Sequence, residues 1–164
     1  RRSTVQMSEV ETFTDLVSEI WNASALSSGI HRDAEYLNWR YSKPGVQYFK
    51  FIIGNGAGYL VLKLFTGGKE PKLHVLDLVL KEEKIEFAEE VLNFVFSKAN
   101  DLGATSVTCW LPAEHKYESY FLKFGFTKIS SHNRSIFARS KSDQGVLLSK
   151  DGQWHFSQGD SDVF

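Results

Sequence analysis

Leu73-His74-Val75-Leu76-Asp77-Leu78-Val79-Leu80 runs straight into Lys81-Glu82-Glu83-Lys84-Ile85-Glu86-Phe87-Ala88, and this junction decides the fold. The first part is a leucine- and valine-rich run of strand length, and a helical repeat follows within a few positions. Phe87, Val91, Phe94 and Val95 recur at helical spacing, Ala88, Leu92 and Ala99 widen the apolar stripe, and Gly103 ends it. Ala104 to Leu111 reads as a second strand stopped by Pro112, and Glu114 to Phe124 as a short helix closed by Gly125. The strands ending near Leu80 and Leu111 are therefore expected to be parallel neighbours that diverge at their C-terminal ends. Function is expected where the first strand meets its helix.

A helix start that binds phosphate offers free backbone N–H groups and the positive end of the dipole, and glycines let the anion come close. Here Glu82, Glu83 and Glu86 occupy the turn. They complement the dipole themselves and oppose an incoming pyrophosphate. A like charge at about 7 Å costs about 0.6 kcal/mol in water and about 2 kcal/mol at an effective dielectric near 20. Lys81 and Lys84 offset part of this.

Upstream, Ser8 and Glu11 fit a capping box, and Val10, Phe13, Val17, Ile20 and Trp21 trace one face, which predicts a helix over 8–23. A second short helix is predicted over 33–41, before the Pro44-Gly45 turn. Tyr48 to Ile53 and Tyr59 to Leu64 flank the glycine-rich turn 54–58 and read as a hairpin. Phe126 to Ala138, Gly145 to Leu148 and Gln153 to Phe156 read as later strands. With helices over 83–100 and 114–124, the expected architecture is a central sheet of about six or seven strands.

This arrangement resembles the core of the GCN5-related N-acetyltransferase (GNAT) superfamily. The resemblance implies an α/β (α+β) fold of the acyl-CoA N-acyltransferase type, a mixed, mostly antiparallel central sheet flanked by helices. It implies that backbone around Leu78 and Leu80 contacts the pantetheine arm of acetyl-CoA, and that amides from Glu83 to Ala88, including Lys84 and Glu86, face the pyrophosphate. In the family that turn carries Gln/Arg-x-x-Gly-x-Gly/Ala. Read without gaps, Glu83 takes the Gln/Arg position, Glu86 the first glycine, and only Ala88 matches. Leu122-Lys123-Phe124-Gly125-Phe126 matches the family's Gly-Phe helix end, but Phe121 stands where members often carry an acid tyrosine. Tyr120 is adjacent and points elsewhere on a helix. Glu114 replaces the asparagine common at the start of that helix.

Arg32-Asp33-Ala34-Glu35-Tyr36-Leu37-Asn38-Trp39-Arg40-Tyr41, Pro44-Gly45 and the terminal Gly159-Asp160-Ser161-Asp162-Val163-Phe164 are similar to the carboxy-terminal half of bacterial GNAT-related proteins built from two such domains. Residues 1–164 are thus expected to form a single GNAT-like domain, a fragment of a larger two-domain protein. Trp39 and Arg40 are expected to be buried, with Arg40 paired to Asp160 or Asp162.

At 164 residues, 42% hydrophobic and 24% charged, the chain can bury one substantial core. A net charge of -1 gives no whole-chain footprint for nucleic acid or anionic membrane. A single cysteine, no span-length apolar segment and no signal-peptide pattern point to the cytoplasm. Cys109 reads as a small strand hydrophobe, and the five histidines lack the close spacings of zinc sites, so no metal is expected.

Two functional readings follow. One is an acyl-CoA-dependent N-acyltransferase, or a domain of one, acetylating a small-molecule amine held against the thioester, with Glu35, Asp77 or His115 receiving the ammonium proton and Tyr120 the remaining hydroxyl near the family's acid position. The other is a catalytically silent GNAT-like domain that packs on a competent partner, a second GNAT-like domain or another copy, and shapes its substrate site.

Overall fold

The computed structural model describes residues 5–26, 28–112, 114–129, 154–155 and 157–160. The N-terminal segment supplies β1 (Met7–Glu9), α1 (Leu16–Ala23), β2 (Ser28–Gly29) and α2 (Ala34–Arg40). The meander β3 (Tyr48–Ile53), β4 (Gly58–Phe65) and β5 (Lys72–Leu80) follows. A 3-10 segment (Glu82–Phe87) leads into α3 (Ala88–Asp101), then come β6 (Ser106–Cys109), α4 (Glu118–Lys123), β7 (Trp154–His155) and a last 3-10 turn (Gln158–Asp160). Among the described residues the central sheet has five strands in the order β1-β3-β4-β5-β6, and β2 and β7 form a separate parallel pair. Every pairing in the central sheet is antiparallel except β5 with β6.

The alternation of β3 sorts the two faces of the sheet. Phe49, Phe51 and Ile53 are buried beneath α3, where Phe51 meets Phe94 edge to face at 4.9 Å and the Lys98 ammonium lies 4.8 Å from the Phe49 ring centre. On the other face Phe13 packs on Tyr59 at 5.5 Å, and α1 buries Val17, Ile20 and Trp21. The hairpin turn needs three successive residues at positive φ, Gly54 at 49°, Asn55 at 55° and Gly56 at 92°, a backbone that glycine and asparagine adopt at least cost.

β5 carries the feature that shapes the molecule. Val61 lies opposite Asp77 and Leu62 opposite Val75, so Leu76 is an extra residue with no partner across the ladder. Such a bulge bends its strand and ends pairing. The parallel ladder to β6 runs from Lys72 opposite Ser106 to Val75 opposite Cys109, and β5 continues to Leu80 paired with β4. Parallel neighbours that part at their C-terminal ends match the expectation from sequence.

Several expectations are corrected. Ser8 lies in β1 opposite Ile52, so the Ser8/Glu11 pair does not cap a helix. The β3 edge captures this segment, with Val10 N–H donating to the Lys50 carbonyl at 2.9 Å, and α1 starts only at Leu16. The helix expected from 83 begins as a 3-10 segment, because Lys84 at φ -121° and ψ 16° breaks the helical path before Ala88. The helix expected over 114–124 is confined to 118–123, since Glu114 at φ 59° places 114–117 in a turn. The helix expected over 33–41 forms as α2, and Asp33 stands outside it as its cap, accepting from Tyr36 N–H at 2.7 Å. Strands expected within 130–153 lie outside the described residues.

Candidate functional site

Where β5 leaves β6, four separate parts of the chain bury their polar side chains against one another. Asp77 points from β5 toward the α1 side, on the same face as Tyr59, and is 1% exposed. Arg32, ahead of α2, is wholly buried. The Asp77 Oδ2 atom accepts from Arg32 Nε at 2.9 Å and from Tyr59 Oη at 3.1 Å, with Tyr41 Oη at 3.4 Å, while Oδ1 meets His155 Nε2 at 2.7 Å. Arg32 Nη2 donates to Asp160 Oδ2 at 2.6 Å and Nη1 to the Ile30 carbonyl at 2.6 Å. Asp160 also accepts from Tyr36 Oη at 3.0 Å and Ser157 N–H at 2.9 Å. Two carboxylates thus share one guanidinium, and every strong acceptor has a donor, the condition under which buried charge is tolerated.

The electrostatics follow from this closure. Burial alone would raise the Asp77 pKa, but Arg32 and the His155 hydrogen bond pull it down to about 2. Burial works against the Arg32 charge, and Asp77, Tyr59 and Asp160 more than restore it. His115, 2% exposed, accepts from Tyr117 N–H on Nδ1 at 3.2 Å. Its Nε2 therefore carries the proton and faces His155 Nδ1 at 3.4 Å, which leaves His155 Nε2–H for Asp77. Burial, with the neighbouring His155 and Lys116, lowers the His115 pKa to about 3.

The terminal segment closes this network from outside. Gly159 lies so near the bulge that a Cβ there would come 2.0 Å from Tyr41 Oη and 3.0 Å from the Leu76 carbonyl oxygen, so no side chain fits. Half-buried Arg40 donates from Nε to the Gly159 carbonyl. The wholly buried arginine is thus Arg32, and the expected burial of Arg40 is corrected to half-buried. Asp160 does meet an arginine, but the one whose position at the mouth of α2 lets it reach β5 as well. Trp39 is 69% exposed, since α2 turns Leu37 inward and leaves Trp39 on the outer face beside Tyr36, with ring centres 6.1 Å apart. Asp162 lies outside the described residues.

Of the residues singled out from sequence, the structure brings Asp77 and His115 together through His155. Glu35 is exposed on α2, and Tyr120 is partly buried against the core. Leu78 and Leu80 bury their side chains, and Ala88 is buried at the start of α3. Glu82, Glu83 and Glu86 are exposed around the turn, and Lys84 leans over the Phe87 ring at 5.6 Å. The Lys84 N–H bonds to the Lys81 carbonyl at 2.9 Å and the Ala88 N–H to the Ile85 carbonyl. Sequence reasoning missed Tyr117, whose Oη accepts from the Leu80 N–H at 2.8 Å. A His-x-Tyr pair just after a strand was the available signal, but the expected helix masked it. Arg32 and His155 were missed as well, because their partners lie 45 and 78 residues away. Among the described residues no group of three or more His, Cys, Asp or Glu side chains could hold a metal ion. No helix among them is long and apolar enough to cross a membrane.

The Leu80 N–H on the side of β5 away from β4 is held by the Tyr117 hydroxyl, and the turn that follows carries the exposed carboxylates of Glu82, Glu83 and Glu86.

No protein-family model matches the chain, and no curated protein sequence matches it. Solved structures do. A protein described as a probable acetyltransferase is similar at a TM-score of 0.60 and 10% identity, over 84% of this chain and 99% of the other. Glucosamine-6-phosphate N-acetyltransferase from Arabidopsis thaliana is similar at 0.54 and 12%, over 83% of this chain and 100% of the other. AAC(6')-Iy in complex with the bisubstrate analog CoA-S-monomethyl-acetylneamine is similar at 0.53 and 15%, over 85% and 100%. The bulged β5, its divergence from β6 and the flanking helices thus make up the fold of the GNAT acyl-CoA N-acetyltransferases.

Proposed function

We propose that this chain is the non-catalytic GNAT-fold domain of an acyl-CoA-dependent N-acyltransferase of bacterial type, working in the cytoplasm. It packs against a second GNAT-like domain that holds the acyl donor, and it shapes that domain's site for a small-molecule amine. The observation that carries the silent reading is the Leu80 N–H bound by the Tyr117 hydroxyl. The groups that could take a proton from an amine support it too. Asp77 is saturated by four donors, and the lone pair of His115 Nδ1 is used by the Tyr117 N–H.

One observation favours a second reading, in which the chain acetylates an amine by itself. β5 parts from β6 beyond Val75, and the resemblance implies that the pantetheine arm of acetyl-CoA lies along this strand. Calorimetric titration of the chain with acetyl-CoA separates the two. The silent reading expects no saturable heat at low salt, where contacts from Lys81 and Lys84 are least screened. Micromolar binding with acetyl transfer to an amine by the isolated chain would overturn it.

A further inference from the structure

The turn that carries His115 and Tyr117 is built around a single accepting nitrogen. Both side chains are buried and their rings meet edge to face at 4.7 Å, so neither swings out without the other. On one side the Tyr117 hydroxyl holds the Leu80 N–H, and on the other His115 Nδ1 holds the Tyr117 N–H at 3.2 Å. The backbone that enters the turn is strained, since Glu114 stands at φ 59°, a left-handed conformation that costs a residue with a side chain.

A proton added to His115 has no place in this arrangement. Both ring nitrogens would then donate, with Nδ1–H aimed at the Tyr117 N–H while Nε2–H already faces His155. Burial strips the ring of water, and the charges around it do not make up the loss. His155 on β7 and Lys116 on the same turn oppose a positive ring, and Asp77 on β5 attracts it only across His155, with Arg32 already on that carboxylate. Glu82 of the 3-10 segment acts on Lys116. We propose that the 114–117 turn is a proton-operated latch on β5, closed at neutral pH with the Leu80 N–H capped, and opened by acid, which frees that amide beyond the point where β5 has left β6 while the sheet stays folded. Between its ordinary 6.5 and the folded value of about 3, His115 takes up a proton only in the open state, so opening gains about tenfold for each pH unit of acidification. The latch does not depend on whether the chain holds an acyl donor.

Hydrogen exchange on the full chain, read between pH 7 and pH 4.5 as the protection of each amide after correction for its intrinsic rate, tests this. The Leu80 amide is expected to lose protection about tenfold per pH unit below pH 6. It should also stay less protected than the amides of β4, a strand paired on both sides that exchanges only when the sheet comes apart. His115→Gln keeps an acceptor for the Tyr117 N–H and takes up no proton, so Leu80 should lose that pH dependence. Tyr117→Phe should leave Leu80 poorly protected already at pH 7. Leu80 protection equal to that of β4 at every pH would make the opening global and overturn the latch. Leu80 protection that does not change with pH in the wild-type chain, or the wild-type dependence in a folded His115→Gln variant, would overturn it too. Acetyl-CoA titration reads the donor question separately, so the two can fail independently.

Discussion

Arg32 is the most demanding side chain to bury in this domain, and it is held by two carboxylates, Asp77 on β5 and Asp160 in the last 3-10 turn. Arg32→Met would leave Asp77 and Asp160 without their cation, and urea unfolding should show a loss of about 3–5 kcal/mol. His115 acts at a different pH. Its folded pKa of about 3 lies below the usual 6.5, so between those values the unfolded chain binds the extra proton. Stability is full above about pH 6.5 and falls as the pH drops, by up to about 1.4 kcal/mol per pH unit from this group. His74, also shifted down by burial, adds in the same direction. Asp77 holds its contribution until the pH falls below its ordinary 3.8 toward about 2. A folded His115→Gln variant should flatten the stability curve between pH 6 and 4, and a wild-type curve already flat there would contradict this assignment. Tyr117→Phe leaves the Leu80 amide unpaired, at about 1–3 kcal/mol, measurable by denaturant titration.

The elements were legible wherever their signals are local. Strand β5, the apolar stripe of α3 and the Gly103 stop are written in consecutive residues, and so is the short helix α2. The Ser8/Glu11 pattern misled because an edge strand on β3 satisfies the same backbone groups that a cap would. Lys84 interrupts the start of α3 through its backbone angles, which composition does not encode. The acidic turn and the Tyr117 contact act at this scale as two separate blocks to an acyl-CoA. Glu83→Arg with Glu86→Gly removes two negative charges, adds a positive one and reopens the backbone, but leaves Leu80 capped. Calorimetry should find acetyl-CoA binding only when Tyr117→Phe is added to this pair. Binding by the double variant alone would show that the turn is the only barrier. The glycine itself should cost up to about 1 kcal/mol in thermal stability.

Over the whole molecule, the β-sheet was readable and the polar centre was not. A sheet follows from runs of a few residues, whereas the Arg32–Asp160 pair joins positions 128 residues apart, and no periodicity links them. For the same reason Arg32 gave no sign that it, and not Arg40, is the partner of Asp160. Deleting residues 154–164 removes both His155 and Asp160, and circular dichroism melting should show a larger loss than any single substitution above. The two-ended ionic network also bears on how the protein is made. Synthesis at about 5–20 residues per second separates Arg32 from Asp160 by roughly 6 to 25 s. Until Asp160 is made the guanidinium has at most one of its two carboxylates, so closing the core over it is costly. The apolar meander therefore stays uncovered until the segment that carries Asp160 has emerged, and dependence on chaperones is set by that delay.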